Sequence, residues 1–293
     1  MIKKIVSVSI ALCSILFLGC NNSTKEEKNL NEEIVDTTKT LTEIPAEEVE
    51  ELSYNLPSAL QIAYVSKKSG AKYNASLLNN TNNVTKYNTS NYKRAINFGI
   101  YSSDLANCLF NKKYQESKEY LKVLKEMGSY LGLNQAFESE NLAERFDKNI
   151  NNEDTLVKIV SNVQLKTDLL FDQNKQKHIT LIAFAGAWIE SLNIAGESYF
   201  KEKNKKVLAS FCEQLLFAPT LLKALEANKL KEQEMPELFN EINSINTSFN
   251  SISSIKSALE KDEEMNFLAM KFTDVEIKTV ADLVKELRTK MVN

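Results

Sequence analysis

The chain has 293 residues, 43% of them hydrophobic, with 36 Lys and Arg against 39 Asp and Glu and a net charge of −3. Charges of both signs are spread along it with no basic block to follow a phosphate backbone, which sets aside nucleic acid as a partner and anionic lipid as an electrostatic docking surface. A single histidine, His178, argues against metal sites built on imidazoles, and no metal or cofactor is expected.

The first twenty residues, MIKKIVSVSIALCSILFLGC, place Lys3 and Lys4 before a largely apolar run of 13 residues, Ile5 to Phe17. That run is too short to cross a hydrocarbon core of about 30 Å as a helix, so it reads as an export signal. Its ending, Leu18-Gly19-Cys20, resembles the lipobox of bacterial lipoproteins. The resemblance implies that residues 1–19 are removed and that Cys20 is diacylated on sulfur, giving a membrane contact made by lipid alone. Without residues 1–20 the chain carries 34 basic and 39 acidic residues, net −5.

Residues 21–46 have few large apolar side chains and many charges, too little burial to offset chain entropy, and are expected to form a flexible acidic tether after Cys20. Lys25-Glu26-Glu27 resembles the surface-export signal of lipoproteins from Bacteroidetes-type bacteria, and Asp36-Thr37-Thr38 resembles their O-glycosylation site, with Thr37 as acceptor. These resemblances imply a cell-envelope location, at the outer membrane, with the periplasmic or surface face left open.

Beyond the tether, residues 47–293 are expected to be all-helical. Four prolines and seven glycines leave few breakers, and apolar residues recur at spacings of three and four. Pro57 at a first helical position and Gly70 as a stop give a helix over roughly 57–68. The Asn/Thr/Ser-rich 74–91 reads as a loop with at most a short turn. Helices follow at roughly 91–110, 114–131 and 135–149, punctuated by Gly132 and Asn134. Asn152 caps a helix to about 174, and Ile179–Ile194 reads as the central buried helix, too interrupted by polar residues to span a membrane. Helix continues over about 204–228 with a bend or break at Pro219, restarts at Pro236 to about 259, and ends in a segment opened by the capping box Thr273-Asp274-Val275-Glu276. About eight or nine helices would form a bundle or a short α-solenoid of helical pairs.

A weak internal echo runs through the pattern. Gly99-Ile100-Tyr101 and then Leu105 align, at an offset of 87, with Gly186-Ala187-Trp188 and then Leu192. Glycine inside a helix costs about 1 kcal/mol relative to alanine, so each should have a packing reason, such as close approach of a neighbouring helix. Polar residues interrupt both segments. Asp104 lies among apolar neighbours, while Glu190, Asn193 and Glu197 share one helix face. If the two helices pack together, Tyr101, Asp104, Trp188, Glu190 and Asn193 could line a pocket suited to sugar hydroxyls or a cationic group. In the competing reading Glu190 and Glu197 face water and Asp104 ties down a backbone amide. Asp147 to Lys158 has some calcium-loop oxygens, but Asn152 replaces the sixth-position glycine and Lys158 the bidentate glutamate. Cys108 and Cys212 sit in apolar helical patterns, where cysteine behaves as a small hydrophobe, although an exported chain could join them by a disulfide.

The stretches 97–106 and 186–192 also look like those of helical lipoproteins from the same bacteria, a group that carries no activity to transfer; Asn193 stands where an aromatic residue would be expected there. No catalytic motif is present, so the expectation is a non-enzymatic binding or scaffolding module whose partner is another envelope protein. The alternative is capture of a small ligand or glycan between the two Gly-x-aromatic helices.

Overall fold

The computed structural model describes residues 56–138 and 141–293, all within one unit, Ser53–Asn293. The export signal, Cys20, Thr37 and the tether lie outside the described residues. Twelve α-helices and two short 3-10 segments make up the described part, with no strand among the described residues. The helices are α1 (Ala59–Lys68), α2 (Asn91–Phe110), α3 (Tyr114–Tyr130), α4 (Asn134–Glu138), α5 (Leu142–Lys148) and α6 (Glu153–Gln173). They continue as α7 (Lys177–Glu202), α8 (Lys205–Leu215), α9 (Ala218–Asn228), α10 (Met235–Asn250), α11 (Ser253–Lys261) and α12 (Asp274–Val292). The fold is all-α, as the breaker-poor sequence implies.

Local chemistry sets most helix ends. At α12, Glu276 N–H donates to Thr273 Oγ1 at 3.2 Å and Thr273 N–H to Glu276 Oε2 at 2.8 Å, a complete capping box. Asn152 accepts from Thr155 N–H to open α6, while Gly70 and Gly132 take positive φ beyond α1 and α3. Other ends differ from expectation. α1 starts at Ala59 rather than at Pro57, because Ser58 and Gln61 form a second capping box. The 74–91 stretch holds two 3-10 segments, Ala75–Leu77 and Thr81–Tyr87, each opened by an Asn side chain, Asn74 and Asn80. The 135–149 helix divides into α4 and α5, and Pro219 separates α8 from α9, at whose start its missing N–H costs nothing. The helix from Pro236 stops at Asn250. There Ser251 turns its hydroxyl onto Ser248 O, and Ile252, extended at ψ 128°, drops its side chain into the core.

At the centre, α2 packs along α7, with α1 and α3 against α2 and α8 and α12 against α7. A Cβ added to Gly99 would stand 1.7 Å from Ala183 O, and one on Gly186 would stand 2.0 Å from Ile96 O. No larger residue fits at either position while the backbones touch. The contact is reciprocal, since each glycine meets the carbonyl three residues before the other glycine and the amide one residue after it. The sequence echo is thus a local two-fold crossing. α7 is long and apolar enough to cross a membrane by composition, but 83% of its apolar window is buried inside the protein, which marks it as the core helix.

Candidate functional site

Burial is the first constraint on the polar residues of the central pair. Tyr101, Asp104, Trp188 and Glu190 are all fully enclosed. Asp104 on α2 and Glu190 on α7 meet beneath Arg288, which α12 supplies. Arg288 Nε lies 2.8 Å from Glu190 Oε2 and Nη2 3.1 Å from Oε1, while Nη2 also donates to Leu77 O at 3.2 Å. Asp104 Oδ2 accepts from the Asn79 amide at 3.0 Å. Its other oxygen has no donor unless the two carboxyls share a proton. Burial and the neighbouring Glu190 charge hold Asp104 well above the usual carboxylate range. Burial raises Glu190 too, opposed by Arg288. A neutral Asp104 donating to an ionised Glu190 paired with Arg288 leaves the cluster with no net charge.

Three tyrosines extend this cluster into the 74–88 segment. Tyr101 OH donates to Asn80 O at 2.8 Å, Tyr120 OH to Asn79 O at 3.0 Å, and Tyr87 OH to Val292 O at 3.1 Å. Each takes up a backbone carbonyl of a loop or helix end, the groups most costly to bury unpaired. The assembly ties the loop to α2, α3 and α12. Both carboxylates are fully enclosed, and the arrangement they form with Arg288 is that of an internal latch.

The expected pocket residues therefore part company. Asp104 and Glu190 come together, and Asp104 does secure a backbone amide, but Glu190 is buried rather than solvated. Trp188 turns to α8, where its indole N–H donates to Gln214 O at 2.9 Å. Direct backbone contact at Gly99 and Gly186 leaves no room for a ligand at their crossing. Of the five, Asn193 lines a surface cleft, a volume of about 260 Å³ between α7 and α12.

The shared face of Glu190, Asn193 and Glu197 is real, and what it faces is α12. Glu190 pairs with Arg288 and Glu197 with Lys285 at 2.8 Å. Arg288 and Lys285 carry no motif of their own in the sequence. They share one face of α12 at a spacing of three, opposite acids seven residues apart on α7, and that basic face on an amphipathic helix is the signal that marks them.

Elsewhere, Cys108 and Cys212 are free and buried. Tyr73 Oη stands 3.7 Å from Cys108 Sγ, and burial pushes the Cys108 thiol up to about 12. His178 Nε2 stands 3.5 Å from Glu232 Oε1. In the 147–158 segment, Asp147 pairs with Lys118 at 2.7 Å and Asn152 caps α6, so these oxygens are already engaged.

The fold and its latch define an all-α bundle built on one helical crossing and closed by a C-terminal helix. No protein-family model matches the chain, and comparison with curated proteins and with solved structures gives no match either.

Proposed function

We propose that the chain is a lipid-anchored cell-envelope protein that acts as a binding or scaffolding module for another envelope component, without turnover. The observation that carries the reading is the run from Lys3-Lys4 through Ile5–Phe17 to Leu18-Gly19-Cys20, followed by the charged stretch 21–46. Two acyl chains on Cys20 would hold the chain at a membrane through about 0.8 kcal/mol per buried CH₂. The bundle supports the same reading, because its central carboxylates are consumed in an internal latch rather than presented to a substrate.

Metabolic labelling with an alkyne fatty acid tests the anchor. Label should enter the wild-type chain and be lost in Cys20→Ser, with the variant leaving the membrane fraction. Equal label in both chains refutes lipidation at Cys20. Crosslinking in intact cells, followed by identification of the joined species, should return a recurrent envelope protein. A purified chain that turns over a substrate in a broad hydrolase screen refutes the non-enzymatic half.

A further inference from the structure

We infer that the cleft between α7 and α12 is a binding site for a single neutral, polyhydroxylated ring, such as one pyranose unit. The inference rests on the reading that this chain works by binding, and is independent of how it is anchored.

The first observation is Asn193. It is 7% exposed, its side chain lines the cleft, and its carboxamide has no hydrogen-bond partner among the described residues. Its polar atoms are not among the enclosed ones, so they open onto the cleft and can bond whatever enters it. It offers two donors and an acceptor to whatever enters the cleft.

Charge comes next. Glu197 pairs with Lys285 at 2.8 Å, and Lys278 holds both oxygens of Asp282 at 2.6 and 2.8 Å. The lining is therefore neutral overall. Both pairs are largely exposed and balanced, so the lining presents no net charge that would favour an ion of either sign. Hydroxyl groups need no such charge, because each paired carboxylate keeps spare acceptor positions and each ammonium spare donors.

Shape completes the argument. Gly196 and Ala281 are the small residues where the helices face each other, and the half-buried Phe200 adds an apolar wall. An amphiphilic ring, with C–H groups on its faces and hydroxyls on its rim, matches an apolar wall with polar edges. At about 260 Å³ the cleft falls just below the roughly 300–1,000 Å³ typical of small-molecule sites, which suits one ring rather than a chain of them.

The test is saturation-transfer NMR on the full chain in a sugar-free detergent. The probes are methyl α-D-glucopyranoside and N-acetylglucosamine, with glycine betaine and L-glutamate as charged controls. At about 10 mM probe, where a site with Kd of ~1 mM is mostly occupied, the expected result is transfer to ring protons of at least one sugar and none to the controls. Asn193→Leu should weaken that binding about tenfold, the loss of one good hydrogen-bonded group. Because it removes an unpaired polar atom, the same variant should melt no lower than wild type. Ala281→Met, which fills the cleft from α12, should also abolish the transfer.

Absence of transfer from both sugars overturns the inference, as does transfer unchanged in Asn193→Leu and Ala281→Met, or stronger transfer from a charged control. A lower melting temperature in Asn193→Leu also overturns it, by showing that the amide serves the fold. A recurrent crosslinked envelope protein without any sugar response refutes the ring site and leaves the binding reading standing.

Discussion

Replacing Arg288 with methionine isolates the latch, because methionine keeps much of the side-chain volume and removes only the charge and its donors. In the wild type Arg288 grips both oxygens of a fully enclosed Glu190 and a third acceptor, Leu77 O. Taking one member from a buried ion pair leaves the other uncompensated and costs about 3–5 kcal/mol. For a bundle of this size that corresponds to a melting temperature lower by roughly 6–20 °C. The loss should depend on pH in a defined direction. Without Arg288, burial acts unopposed and raises Glu190 further above its ordinary 4.5. The folded variant then holds a proton that the unfolded chain releases, so its stability falls as pH rises above that ordinary value towards the raised folded one, by about 1.4 kcal/mol per unit. Urea unfolding followed by circular dichroism at pH 5 and pH 8 reads both effects. The double variant Arg288→Met/Glu190→Gln removes the stranded charge and should recover more than half of the loss. A penalty below about 1 kcal/mol, or one equal at both pH values, would refute the buried-pair account.

Three further outcomes follow from the same geometry. Asp104 is raised above 3.8, so the stability it lends is full below that value and is lost as pH rises through the window up to its folded one. Asp104→Asn, which imitates the neutral acid, should flatten that pH dependence in urea titrations and match or exceed wild type at pH 8. Gly99→Ala and Gly186→Ala each force the helices apart, and each should cost at least about 2 kcal/mol even after the helix-propensity gain. Together they should cost less than their sum, since either one already opens the shared crossing, and a double-mutant cycle measures the difference. Cys108 and Cys212 are buried and their thiols are raised. Peptide mapping should find neither labelled by Ellman's reagent in the native chain at pH 8 and both labelled in urea.

What the sequence revealed of this fold was whatever a few neighbouring residues decide. Thr273 and Glu276, Asn152, Gly70 and Gly132 mark helix ends by their own hydrogen bonds or backbone angles, and all can be read directly. The stop after Asn250 could not be read so simply. It depends on Ile252 and Ile255 reaching a core assembled from distant segments, and the serines around them only permit the break. The central pair was legible because two in-helix glycines at a fixed offset need a reason, and a mutual crossing supplies it. The cover over the Glu190 face was not legible, because Arg288 lies 98 residues further along the chain. Trp188 turning to Gln214 on α8 is illegible for the same reason: spacing gives the face of a helix, not the element opposite it.

The register of α12 along α7 connects the latch to the cleft. The two helices run antiparallel, with Arg288 against Glu190, Lys285 against Glu197, and Asp274 bonded to Tyr199 and Lys203 at the far end. Apolar packing alone tolerates slippage by a helical turn, because Ile277, Val280, Val284, Leu287 and Met291 repeat along the buried face of α12. Sliding α12 by one turn would put Val284 opposite Glu190 and bury that carboxylate unpaired, at the same cost of about 3–5 kcal/mol as removing Arg288. That penalty specifies a single register. In it, small Ala281 and Gly196 line the same cleft as Asn193, whereas a slipped α12 would bring larger neighbours of Ala281 to that position. The buried charges thereby fix the register that places Asn193, Gly196 and Ala281 along one cleft.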